Sequence, residues 1–571
     1  MNSLIAGSED AYIRTAVSLA EDLPARTRMR ETLRGRLLAS PLTDKRAFVD
    51  SLESIYLEAW ETWCDRDAPS NVQAAPSQNR PAGEIAGAIR LNTVDSYPIW
   101  LPGDLNRLIT YVHCEQETWF EVEFAFLRNY LDKGMAVLDI GANCGVYTLL
   151  AARQVGPAGR VWSFEPASIS YRWLGANVRY NAHANTRLVN VALSDFNGVA
   201  KLQLFLDGEH NRLGTDESRQ APGELVDVRR LDRCVAEAGI ANIDFVKIDA
   251  KGAEKQILDG GRRFFADETP LVMFEIQSRD GHDWSLVERF RTWGYSVFRL
   301  VPGLGRLVPV GEPGSLDPHA LNLFACKETR LAGLSERGLL ISQPPASTPV
   351  PAADEASLWR FFEERAFSRD LVDAWRYGME ELDSGSRARL LRVLGCYVAA
   401  RDGAASPADA FARLTQAYEG CVRPDAANIE PVLRMTGARL AAELGLRIEA
   451  ARILDSLLGF GDLKGAWSTR QPFLPPSAHF DAIAPGSRIG DWCEASVLDA
   501  YLCMSAYSTF FKGEAQFPLL ERLCETGFER PEMERRRLLL GARLGRKTRA
   551  PSDNLRRASR DNLNPEFWRQ F

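Results

Sequence analysis

With 571 residues, the chain is too long for one ordinary core and suggests three or four folded units; 45% hydrophobic and 25% charged residues are the composition of a soluble globular protein. A net charge of −7, with both signs interspersed, lacks the footprint of a nucleic-acid binder, and no uninterrupted apolar stretch approaches the roughly 18 residues of a membrane span. The ten cysteines are scattered without zinc-like pairs, as buried thiols in a reducing compartment are, and the opening residues lack the basic flank and apolar run of a secretory signal, so the expected location is cytoplasmic.

In chain order, residues 1–67 read as a helical segment, with apolar residues at three- and four-residue intervals through "FVDSLESIYLEAWETW". Residues 68–83, rich in Pro, Ser and Ala, read as a linker. From 84 to 341 strand and helix alternate: "AVLDI", "RVWSFE", "RLVNVAL", "DFVKIDA", "LVMFEI" and "YSVFRL" are separated by amphipathic stretches such as "SYRWLGANVRYNA" and "DWSLVERFRTWG". That alternation predicts a doubly wound α/β unit with a parallel sheet, whose ligand site lies beyond the carboxyl ends of the strands. A second Pro-rich linker spans 342–356, and residues 357–571 read as helix throughout.

The turn after the first strand is Gly141-Ala142-Asn143-Cys144-Gly145. A dinucleotide fingerprint would want glycine where Asn143 stands, and no Lys-Ser or Lys-Thr follows to make a P-loop. Asparagine does tolerate the left-handed conformation of a tight turn. The next strand ends in Glu165, twenty residues after Gly145, a carboxylate placed to accept the hydroxyl hydrogens of a ribose. Asp139 adds a second carboxylate near the turn, able to help orient an ammonium group. Ribose, ammonium and no phosphate describe S-adenosylmethionine.

Five segments in order, "DIGANCGVYT", "FEP", "VALSDFNG", "KIDAKGAE" and "FEI", resemble the FkbM-type family of S-adenosylmethionine-dependent methyltransferases, over residues 97–327. The resemblance implies that Gly141, Asn143, Gly145 and Tyr147 line the methionine end of the cofactor, that Glu165 holds the ribose and that Asn190 to Ala192 border the adenine. It further implies a hydroxyl-bearing acceptor in a saccharide, polysaccharide or secondary metabolite.

Methyl transfer from a sulfonium needs chiefly a positioned acceptor and a place for its proton. Asp249 and Glu275 close strands where a base would serve, and Lys247 shares the face of Asp249. Where the family pattern reads Asp-x-Glu-Gly-x-Glu, this chain has Lys251 between Asp249 and Gly252. That cation disfavours a bound divalent metal, so no metal is expected, and could hold an anionic acceptor or begin a helix at the surface. His210, in the polar loop "DGEHNRLGTD", is a further catalytic candidate. Trp119 and Phe120 border the acceptor or belong to the core.

In the last third, a small-residue helix, Gly445 and "RIEAARILDSLL" resemble a tetratricopeptide-like hairpin, a surface for a protein partner or polymeric substrate; an irregular bundle fits equally. Two functions follow: an O-methyltransferase, or a cofactor-binding scaffold whose chemistry Lys251 has altered and whose helical part does the work. A nicotinamide dehydrogenase ranks behind both because of Asn143.

Overall fold

Alternation along the central strands decides which residues reach the site. In the computed structural model the main sheet comprises β1 (Ala136–Ile140), β2 (Arg160–Phe164), β3 (Thr186–Val189), β4 (Phe245–Ile248), β5 (Leu271–Glu275), β6 (Tyr295–Val301), β7 (Arg306–Pro309) and β8 (Asn322–Lys327), in the order β3-β2-β1-β4-β5-β8-β6-β7. The first five run parallel, whereas β8 is antiparallel to both β5 and β6, and β7 to β6. The expected parallel sheet is therefore mixed. The turn at 302–305 folds β7 back on β6, and β8 then inserts between β6 and β5.

Residues two apart share a face. Val137, Phe245, Leu271 and Met273 enter one core with α1 (Leu108–Gln116), α2 (Val122–Tyr130) and α3 (Val146–Val155). Leu138, Val246, Val272 and Phe274 enter the opposite core, against the helices Leu231–Ala238, Glu254–Gly260 and Trp284–Thr292. Continuing the first set by two residues places Asp139, Lys247 and Glu275 on the face of α3, at the carboxyl edge of the sheet. A four-stranded sheet that includes Gly198–Gln203 and Gly223–Arg229 follows β3.

The structure describes residues 6, 8–38, 85, 87–205, 212–213, 223–278, 281–342, 352–422, 430–459 and 470–571. The helix expected in "FVDSLESIYLEAWETW", the linker 68–83 and His210 lie outside them. The chain divides into two bodies, Met1–Ala82 and Gly83–Phe571. The described part of the first is the helices Glu9–Glu21 and Leu23–Leu38. No helix among the described residues is long and apolar enough to cross a membrane.

The second linker does not separate independent units. Residues 343–351 are not described, and Glu355 and Ala356 already belong to the helix Glu355–Glu363, capped by the Asp354 carboxylate accepting from the Ser357 amide. After it come helices packed largely against their chain neighbours, among them Glu430–Leu444, Arg447–Leu458, α4 (Ile489–Ser505), α5 (Phe517–Thr526) and α6 (Pro531–Arg543). Leu538, Leu539, Leu555 and Trp568 enter the core built around α1 to α3. Polar contacts cross as well: the Asn92 amide donates to Asn564 Oδ1 at 2.7 Å, and the Gly303 amide to the Glu443 carbonyl at 2.8 Å. Most telling is α1, whose Glu115 is fully buried; Thr509 Oγ1 donates to it at 2.6 Å, and Arg536 Nε of α6 lies 3.3 Å from its other oxygen.

Candidate active site

A cavity opens at the carboxyl edge of β1, β2 and β4. Two glycines shape its turn. Gly141 has φ +81°, and a Cβ there would fall 1.9 Å from the Asp249 carbonyl oxygen; Gly145 has φ +97°, and its Cβ would meet Leu174 Cδ1 at 2.8 Å. Both are thus demanded by neighbouring protein atoms. Gly141 lines the cavity and Gly145 does not, its open side being filled by the helix Ser168–Tyr180. Asn143 takes the left-handed conformation, φ +47°, and lines the cavity beside Tyr147.

Glu165 joins them. Its Oε2 accepts from the Asn143 amide at 2.8 Å and its Oε1 from the Ala167 amide at 2.9 Å, so one carboxylate ties the tips of β1 and β2 together. Burial raises its pKa to about 7 against the lowering effect of those two amides. Val191 and Ala192 supply an apolar flank. Asn190 does not line the cavity; its amide group donates to the carbonyls of Glu165 and Pro166, holding the rim from outside. Asp139 also lies outside, one residue below the end of β1, where Oδ2 accepts from Thr148 Oγ1 at 2.6 Å and burial raises its pKa. It is placed to orient α3 rather than an ammonium group.

The remaining candidates form an alternating chain of charge. Lys247 Nζ lies 3.0 Å from Asp249 Oδ2 and 4.7 Å from the centre of the Tyr147 ring. Lys251 Nζ lies 2.8 Å from Asp249 Oδ1 and 3.0 Å from Glu275 Oε1. Lys251 reaches both because its backbone is left-handed, φ +51°, a conformation held by the Glu254 carboxylate accepting from the amides of Ala250 and Gly252. Burial would neutralise Asp249, but its two lysines hold its carboxyl far below the ordinary range. Loss of solvation, with the Asp249 charge beside it, outweighs the shared lysine and raises the half-buried Glu275 to about 8. Lys247, Asp249 and Lys251 line the cavity; Glu275 stands behind Lys251. The cation expected to await an anionic acceptor is already satisfied by two carboxylates.

Glu121 is a residue that motif reading missed. It accepts from the hydroxyl of Tyr147 at 2.5 Å, from Trp119 Nε1 at 3.0 Å and from Asn322 Nδ2 at 2.8 Å. Two of its three partners come from α3 and β8, far along the chain. Trp119 lines the cavity, while the Phe120 ring packs 5.2 Å from that of Tyr507.

Residues 139–297 match the family described as the methyltransferase FkbM domain. This stretch is an FkbM methyltransferase domain. The 31-O-demethyl-FK506 methyltransferase FkbM of Streptomyces tacrolimicus is 29% identical over 196 residues, 29% of this chain and 75% of that protein. A probable UDP-N-acetylglucosamine--peptide N-acetylglucosaminyltransferase SPINDLY of Solanum lycopersicum is 39% identical over 70 residues, 12% of this chain; the match spans only 8% of that relative's length. Among solved structures, the methyltransferase FkbM from Methylobacillus flagellatus KT shares 17% identity with a TM-score of 0.24, covering 34% of this chain and 43% of that one.

S-adenosylmethionine is the cofactor of the FkbM domain, and the cavity fits it. Glu165 spends one acceptor position of each oxygen on an amide and retains the other for a vicinal diol. The cations among the lining residues, Lys247 and Lys251, are both held by Asp249 rather than turned toward a pyrophosphate.

Proposed function

We propose that this chain transfers a methyl group to a hydroxyl oxygen of a saccharide, polysaccharide or secondary metabolite. S-adenosylmethionine, when bound, supplies an electrophilic methyl group on a sulfonium. Glu165 accepts the ribose hydroxyls, the backbone of Gly141 and Asn143 with Tyr147 borders the methionine end, and Val191 and Ala192 border the adenine. Asp249 carries the reading: it stays ionised between two lysines at the cavity wall, so it can accept a hydrogen bond from an incoming hydroxyl and aim its oxygen. Held that firmly ionised, it is a weak base and works mainly by orientation. Lys247 and Lys251 fix Asp249, and Glu275 is a positioning residue acting through Lys251. The O-methyl chemistry named for the Streptomyces relative supports an oxygen acceptor. The helical region, with its hairpin turn at Gly445, is proposed as a tetratricopeptide-like surface for a protein or polymeric partner.

The test is incubation of the full chain with methyl-labelled S-adenosylmethionine and glycan extracts, followed by alkali. Alkali-stable label on a neutral ether is the expected product. Label on nitrogen, or cofactor binding without turnover on any acceptor, would replace this reading, the latter with a cofactor-binding scaffold.

A further inference from the structure

A second cavity lies on the seam between the sheet-bearing region and the helical region, and both contribute to its wall. Arg299, Asp317 and Asn322 come from the sheet side, Glu123 from α2, and Arg447 and Tyr507 from the helical side. The cavity is incomplete without the helices. Gly445 lets their hairpin turn close on β6: a Cβ there would sit 3.2 Å from Pro302 Cδ and 3.7 Å from Arg299 Nη1.

Its charge is unusual. Arg299 donates to the Leu444 carbonyl at 2.8 Å and Arg447 to the Cys503 carbonyl, and among the described residues neither meets a carboxylate within 4.0 Å. Asp317 of the cavity wall accepts from the amides of His319 and Ile448, at 2.9 and 2.8 Å, and its charge acts on both arginines without a direct ion pair. Glu123 is buried, and burial with the neighbouring Glu121 raises its pKa to about 8, which leaves it largely protonated at neutral pH. Two guanidiniums against one carboxylate leave a net positive wall, and each guanidinium has donors to spare. The seam cavity also adjoins the cofactor cavity: Glu121 is hydrogen-bonded both to Tyr147, which lines the first, and to Asn322, which lines the second.

We propose that the seam cavity binds an anionic group of the methyl acceptor, a carboxylate or phosphoester held by Arg299 and Arg447. The acceptor is then an acidic molecule, and the helical region is part of its binding site. This rests on the methyl-transfer reading, so cofactor binding is measured separately.

Calorimetry on the full chain saturated with S-adenosylhomocysteine, titrated with sodium D-glucuronate, orthophosphate and D-glucose, tests it. At least one anion should bind at least tenfold more tightly than glucose, the preferred anion distinguishing carboxylate from phosphoester. Arg299→Gln and Arg447→Gln should each weaken it about 10–100-fold, the effect of losing a hydrogen-bonded charge, with S-adenosylhomocysteine affinity unchanged. If either glutamine variant misfolds by circular dichroism, Arg299→Lys and Arg447→Lys, which keep the charge but lose the fork, should still weaken the anion while leaving the cofactor bound. Glucose binding as well as glucuronate, anion binding indifferent to every folded variant, or no anion binding by a chain that binds S-adenosylhomocysteine would overturn the proposal and leave the methyl-transfer reading standing. Anion binding without any cofactor binding would remove that reading, and the acceptor role with it.

Discussion

At the carboxyl edge of the sheet, Lys247 and Lys251 pair with Asp249 within five residues of chain; at the seam, Glu115 waits for a hydroxyl 394 residues further on and for the guanidinium of Arg536. Both are charge clusters with short contacts, the first partly exposed and the second fully buried, yet they serve different ends. The first set shares its cation Lys251 with Glu275 and faces a cavity, so it can respond to a ligand. The second lines neither of these two cavities and joins two parts of one body, where an unpaired charge would be intolerable. Local charge pairing marks chemistry here, and distant pairing marks assembly.

The sharpest way to break this contrast is to cut the chain. A fragment of residues 83–343 would expose the apolar surface that Leu538, Leu539, Leu555 and Trp568 cover and strand Glu115 and Glu117. It should fail to give a cooperative thermal transition or should precipitate, as judged by circular dichroism; a soluble, cofactor-binding fragment would show that the seam is dispensable. Smaller is the effect of Arg536→Ala, which leaves Glu115 without its cation: a loss of about 3–5 kcal/mol in urea denaturation, with cofactor affinity per folded molecule unchanged.

How far the two regions were legible follows from the same distances. "AVLDI" and "LVMFEI" declare strands because their apolar runs sit between turn residues, and the Gly141 turn and Glu165 lie within one strand–helix–strand unit. β7 and β8 were not foreseen: "RLVP" and "NLFACK" are short and framed by Pro, Gly and loop residues, and only pairing with β6 and β5 makes them strands. The site was legible as residue types but not as partnerships. Lys251 read as a cation free to meet a substrate, because nothing in "DAKGAE" reveals that a left-handed backbone turns it between Asp249 and Glu275. Gly145, Asn190 and Asp139 carry the right spacing but spend it on packing and on the rim.

Asp249→Asn sharpens the other side of the contrast. Removing the charge that holds both lysines and aims the acceptor should lower turnover about 10²-fold while S-adenosylhomocysteine still binds. Unchanged turnover would make the ion chain purely structural. A subtler consequence concerns stability. Glu123 and Glu275 have pKa values raised to about 8 in the folded chain, so their favourable contribution is complete below about 4.5 and is lost as pH rises through about 8. The thermal midpoint of the unliganded chain should fall across that window by a few degrees, and Glu123→Gln should flatten the slope.

Glu165 as the ribose carboxylate is tested by titration of the full chain with S-adenosylhomocysteine from pH 6 to 8. Ionised Glu165 accepts the hydroxyls, and its pKa is about 7 in the unliganded chain, so affinity should climb with pH, by up to about tenfold per unit below 7, and level off above it. Glu165→Gln should bind about 1.5–3 kcal/mol more weakly and lose the pH dependence. No binding by the wild-type chain, or equal binding by wild type and Glu165→Gln at pH 8, would contradict the account.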